Sequence, residues 1–143
     1  MSIEKLEFAK LEKGISKTGK SVSDYLAPDV GKVYVVAITR ERCPACQKQK
    51  PKLDRLAMTL KKKHRDIVFT RIHVKWLPDS QEESLRCKDL FHHYFYPTNL
   101  ILLRTKNRGS IEYYRNVSPN MTELRRNIEI TVETAKMIKK ETS

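Results

Sequence analysis

At 143 residues, with 39% hydrophobic and 32% charged positions, the chain has the length of one domain and is too apolar to stay disordered. No run approaches the ~18 apolar residues of a membrane-spanning helix, and residues 1–5 show no basic-then-apolar leader, so neither membrane insertion nor export is expected and the expected compartment is cytoplasmic. Three cysteines are too few for a disulfide-stapled scaffold, and a net charge of +12 predicts attraction to acidic partners without by itself showing nucleic-acid binding.

Residues 3–12 fit two periods: Leu6 and Phe8 alternate like a strand, while Ile3, Leu6 and Leu11 permit a helix. A short turn or helix over residues 21–28 ends at Ala27-Pro28. Residues 33–39 (VYVVAIT) are continuously apolar and β-branched, which predicts a central buried strand. From about Pro44 to Lys63 the period becomes helical, with Leu53, Leu56, Ala57 and Leu60 at i, i+3, i+4 and i+7. Pro51 falls inside this run and is expected to kink it. Residues 67–74 (IVFTRIHV) predict a second strand. Ser80-Gln-Glu-Glu83 matches a capping box, and Leu85, Leu90 and Phe91 mark a helix behind it. Residues 99–104 and 111–115 predict two further strands, joined as a hairpin by the turn residues 105–110. Ser118-Pro119 reads as an N-cap and first helical residue, followed by an amphipathic helix on Met121, Leu124, Ile128, Val132, Ala135 and Ile138. No repeat, low-complexity tract or Gly/Ser linker interrupts the chain. The order β-α-β-α-β-β-α predicts an α/β sandwich with a mixed central sheet flanked by helices.

The chemistry concentrates at Cys43-Pro44-Ala45-Cys46, between the buried strand and the long helix. Unpaired backbone N–H groups and the helix dipole favour negative charge there. A thiol at Cys43 is therefore expected to ionise below the ~8.5 of free cysteine, with Arg42, Arg40 and Lys48 close in sequence. The three-residue offset places Cys46 one turn along the same face. This pattern predicts that Cys43 attacks a substrate disulfide as nucleophile and that Cys46 resolves the mixed disulfide, leaving a Cys43–Cys46 bridge. Structural zinc is the sharpest competitor, with Cys87, His92 and His93 as further donors, but no second C-x-x-C or H-x₃₋₅-H is present and no metal site is expected.

Four ordered motifs carry a resemblance to the thioredoxin superfamily over roughly residues 30–140. Residues 43–57 hold C-x-x-C, Pro51 and then Leu53-Asp54-x-Leu56-Ala57, which resembles the family's active-site helix. Residues 69–74 resemble the next strand, with Arg71 at the usual lysine. Tyr96-Pro97-Thr98 resembles the cis-proline motif. Residues 113–116 resemble the closing strand, with Asn116 at the usual glycine; Asn tolerates a left-handed backbone there. The resemblance implies a thioredoxin-like three-layer α/β sandwich. Residues 1–30 would hold an N-terminal extension and the first elements, and residues 31–143 the thioredoxin-like domain, in one domain overall. It also implies a cis peptide at Tyr96–Pro97, with Tyr96 pairing to extended substrate and Pro97 shielding the thiols. The candidate substrate-binding set is therefore Tyr96, Pro97 and Arg42.

The departures are specific. Arg42 stands where the family has tryptophan, and Ala37 where it has a buried acid. The Pro-Ala dipeptide is similar to that of glutaredoxins in its first residue, but their Thr-Val-Pro is missing. Elsewhere, Cys87 reads as a small core filler, His92 and His93 as helix-end residues favoured there as cations, and Trp76 as loop packing. The expected function is a thiol–disulfide oxidoreductase acting on protein disulfides, monomeric, without a cofactor, and served by a reductase or thiol donor. The alternative is a binding module of the same fold for nucleic acid or an acidic protein, suggested by the basic run from Lys48 to Arg65.

Overall fold

In the computed structural model, which describes residues 3–117 and 120–141, the ambiguous N-terminus divides into both of its readings. Strand β1 (Ile3–Glu7) is followed at once by helix α1 (Phe8–Thr18). Gly19 ends α1 at φ +70, a left-handed position that glycine fills without strain, and its N–H returns to the Ile15 carbonyl at 2.9 Å. A short helix α2 (Val22–Leu26) starts at Ser21, whose hydroxyl accepts the Asp24 N–H. Then come β2 (Val33–Arg40), α3 (Pro44–Lys63), β3 (Ile67–Val74), α4 (Glu82–Phe91), β4 (Thr98–Arg104), β5 (Ser110–Asn116) and α5 (Met121–Glu141).

The five strands form one mixed sheet in the order β1-β3-β2-β4-β5. β1, β3 and β2 run parallel, β4 runs antiparallel to β2, and β5 antiparallel to β4. The continuous apolar run in β2 follows from burial on both faces. Val33, Val35 and Ala37 meet Leu53, Leu56 and Leu60 of α3 and Leu124, Ile128 and Val132 of α5. Tyr34, Val36 and Ile38 meet Phe8 and Leu11 of α1 and Cys87 and Phe91 of α4. Each fully buried side chain of this size contributes about 1.5–3 kcal/mol, so β2 is anchored from two sides. Its C-terminal end is the fixed base from which the α3 cysteines project.

Two local expectations are corrected. The capping box at Ser80 does not form: α4 begins after Gln81 with no side-chain cap, Ser80 bridges Leu77, and Glu83 accepts the Lys75 N–H. α4 buries Ser84, Cys87 and Phe91, leaving Leu85 63% exposed. Asn116 needs no left-handed backbone, since it is a strand residue of β5 and the only described non-glycine residues at positive φ are Arg42 and His92. The expected cap pair Ser118-Pro119 lies outside the described residues; Asn120 Oδ1 accepts the Glu123 N–H at the start of α5.

Candidate active site

β2 delivers the chain to the site and then must turn sharply. Glu41 still donates its N–H to Val74 of β3 at 2.9 Å, and Arg42 then takes φ +55, a region a β-carbon disfavours. The turn sets Cys43 as the N-cap of α3. Its sulfur accepts the Cys46 N–H at 3.2 Å, satisfying one of the orphan donors of the helix start. Pro44 follows at the first helical position, where a missing N–H costs nothing. Cys46 lies one turn on, and the two sulfurs are joined in a disulfide with a Cα–Cα separation of 5.2 Å. Cys43 is 5% and Cys46 7% exposed, so the pair sits just below the surface.

The loop before β4 faces the disulfide. The Tyr96–Pro97 peptide bond is cis, Pro97 is buried, and the Tyr96 carbonyl oxygen lies 3.7 Å from Cys43 Sγ. The Tyr96 hydroxyl is 3.0 Å from Ser84 Oγ, and its ring meets the His93 ring edge-on at 4.9 Å. His93 Nδ1 is 3.0 Å from the Phe95 carbonyl, which can only accept, so Nδ1 carries the proton. Nε2 is then the acceptor facing the Cys87 thiol at 3.6 Å. Burial lowers the His93 pKa and raises that of Cys87 to about 12, so both groups are neutral near pH 7. His93 is thus no helix-end cation; the exposed, left-handed His92 ends α4 instead.

On the other side of Cys43 lies a cation–aromatic cluster. The Arg40 guanidinium sits 5.2 Å from the Trp76 ring centroid and 5.5 Å from that of Tyr96, and Arg42 lies 5.5 Å from Trp76. The Trp76 backbone N–H donates to Glu41 Oε1 at 3.0 Å, tying the segment after β3 to the turn that carries Arg42. An indole therefore stands beside the cysteine turn, supplied from a distant segment and not from position 42.

Ala37 pairs in register with Arg71 on β3 and Asn99 on β4. No carboxylate occupies this place. Gln49 and Asn99 are both buried and exchange two hydrogen bonds, at 2.9 and 2.8 Å. Asn99 also donates to Asn116 Oδ1 at 3.1 Å, while the buried Asn116 Nδ2 has no partner. Arg71 instead pairs with Asp54 at 3.1 Å.

Of the residues singled out from sequence, Cys43, Cys46, Tyr96 and Pro97 converge, Arg42 borders them, and Lys48 is exposed on α3. Gln49 and Asn99 were missed, and Trp76 was read only as loop packing. Gln49 had a readable signal: it continues the buried α3 stripe of Cys46, Leu53, Leu56 and Leu60 one step toward the site. Among the described residues no group of three His, Cys, Asp or Glu is placed to hold a metal, and no helix is long and apolar enough to cross a membrane.

No family model matches the chain, and no curated protein matches its sequence. Solved structures do. The fourth thioredoxin domain of ERdj5 superposes with a TM-score of 0.65 at 12% identity, covering 94% of this chain and 98% of that one. The thioredoxin of Trichomonas vaginalis gives 0.59 at 12% identity, covering 91% and 97%. That of Fasciola hepatica gives 0.52 at 20% identity, covering 88% and 96%. Identities this low show the architecture: the chain has the thioredoxin fold, a mixed five-stranded sheet between two layers of helices.

Proposed function

We propose that this chain, built on the thioredoxin fold, is a thiol–disulfide oxidoreductase that exchanges its Cys43–Cys46 dithiol with disulfides of protein substrates. The observation that carries the reading is the Cys43–Cys46 disulfide at the start of α3, with Cys43 Sγ beside the Tyr96 carbonyl. In the reduced protein Cys43 is the nucleophile. Its thiolate attacks one substrate sulfur, the substrate S–S bond breaks, and a mixed disulfide forms. Cys46 then attacks Cys43 Sγ and releases the second substrate thiol. Two electrons and two protons pass to the substrate. Ala37 offers no acid to handle the Cys46 proton, so the departing substrate thiolate or water takes it. Tyr96, Pro97 and Arg42 form the rim against which an extended substrate segment lies, Tyr96 through its backbone. A reductase or small thiol restores the dithiol.

Dithiothreitol-driven reduction of insulin tests the reading. Wild type is expected to accelerate it and Cys43→Ala to lose the acceleration, while Cys46→Ala accumulates a mixed disulfide. Equal rates for wild type and Cys43→Ala would remove Cys43 from the nucleophile role.

A further inference from the structure

A cleft of about 230 Å³ opens beside the disulfide and is lined by Cys46 itself. Its other walls come from β1, β2, β3 and the first turns of α3, and five of its ten lining residues are lysine or arginine against one carboxylate, Glu41. Two of the cations are already neutralised, Lys5 by Glu7 at 3.3 Å and Arg71 by Asp54 at 3.1 Å. Arg40, Arg42 and Lys50 have no carboxylate partner among the described residues. Glu41 is engaged with the Trp76 N–H.

The arrangement holds like charges together. Arg40 and Arg42 both lie within 5.5 Å of one indole centroid. Arg40 is fixed there by donating to the Glu41 carbonyl at 3.1 Å and the Arg42 carbonyl at 3.4 Å. Stacked guanidiniums are weakly hydrated; Arg42 keeps its fork of donors for a planar oxyanion, while Arg40 has Nη1 left to offer. Lys50 adds an exposed cation from the next turn of α3. An anion entering this cleft relieves the repulsion and comes to rest against Cys46.

The geometry points to a carboxylate-binding subsite that selects acidic substrates: Arg40, Arg42 and Lys50 receive Asp or Glu side chains flanking the substrate disulfide. This rests on the oxidoreductase reading and narrows its substrate class. Electrons and atoms balance as in that exchange: the Cys43–Cys46 dithiol is oxidised, the peptide disulfide is reduced, and dithiothreitol resupplies both electrons and protons.

The test uses three synthetic peptides with one internal disulfide flanked by Glu, Gln or Lys pairs. Exposed ion pairs are each worth about 1.4- to 5-fold, so the Glu peptide is expected to exceed the Gln peptide in kcat/KM about tenfold at low salt, with the Lys peptide slowest. The Glu/Gln ratio should collapse at 0.5 M NaCl, where screening acts over only a few ångströms. Lys50→Gln is expected to lower the ratio about two- to threefold. Lys61→Gln, which removes the same charge three turns along the same exposed face, should leave it unchanged. Equal kcat/KM for Glu and Gln peptides, or an equal effect of the two lysine substitutions, overturns the subsite while the redox reading stands. If no peptide is reduced, the redox reading fails and binding decides the subsite. Trp76, the single tryptophan, reports it by its emission. A Kd about tenfold lower for the Glu than the Gln peptide upholds the subsite; equal Kd values, or displacement of the Glu peptide by a dT oligonucleotide at lower concentration, overturn it.

Discussion

Burial pushes the Cys87 thiol up to about 12, while Cys43, just below the surface, caps the start of a helix. Only thiolates alkylate readily, so iodoacetamide added to the reduced native protein is expected to modify Cys43 and spare Cys87, which reacts only once the chain is unfolded; peptide mass mapping reads the sites. Labelling of Cys87 at a rate comparable to Cys43 would contradict the burial argument. The neighbouring His93 sets a pH dependence. Burial, the largest cause, lowers its pKa below the ordinary 6.5, so the unfolded chain takes up a proton that the folded chain refuses. The stability this neutral imidazole contributes is present above pH 6.5 and is lost as pH falls through the folded value. Urea midpoints should therefore drop between pH 7 and pH 5, with a shallower drop in His93→Gln. An identical slope in the variant would mean that His93 charges without cost. The contact between Cys87 and His93 could not be read from sequence. Cys87 was legible as a core filler from its residue type, but two adjacent histidines after a helix gave no sign that one turns inward.

At the scale of elements, α3 was legible almost to its ends, because its apolar stripe, its N-terminal proline and its preceding cysteine all point the same way. β2, β3 and the β4–β5 hairpin were legible for the same reason. β1 was not, since five residues at a sheet edge carry too few alternations to separate strand from helix, and α1 begins with the next residue. The α4 cap failed because Glu83 is drawn to the Lys75 amide, a contact across the loop that a local motif cannot register. The joint between α3 and β4 yields a further prediction. Gln49 and Asn99 satisfy each other in the core, so truncating one leaves the other buried and unpaired. Asn99→Ala is expected to cost about 1–3 kcal/mol in urea denaturation, and adding Gln49→Ala should cost clearly less than the sum of the single changes. Additive losses would show that the two amides are not coupled.

For the whole molecule, the two apolar layers lie on opposite faces of the same central strands, so neither can be lost without unseating β2 and β4. Leu11→Ala on the α1 side and Leu124→Ala on the α5 side should each lower stability by about 2–5 kcal/mol. Each should keep one transition, coincident by far-ultraviolet circular dichroism and Trp76 fluorescence. Separate transitions in Leu11→Ala would mark residues 3–26 as an independent unit. The charge of +12 and the cysteine pair were legible at this scale too, but their juxtaposition was not. The cleft draws Lys5, Arg40, Lys50 and Arg71 from four elements, and Trp76 comes from thirty-three residues beyond Cys43. Only the sheet order brings them together.

Pro51 sits inside α3 with no amide hydrogen, so the Gln47 carbonyl receives no bond from the residue four positions on. The ladder is interrupted between the turns that carry the cysteines and the turns that Leu53, Leu56 and Leu60 root in the core. The two halves of one continuous helix are consequently joined by one hydrogen bond fewer, and the cysteine-bearing half is tied to the core through Gln49 and Asn99. The cysteine-bearing turns contribute nothing to the apolar layer that roots Leu53, Leu56 and Leu60, so theirs is the end of α3 that opens at the lower cost. A partner that must reach a sulfur only 5% or 7% exposed therefore works on the more loosely held half of the helix and leaves the rooted half in place.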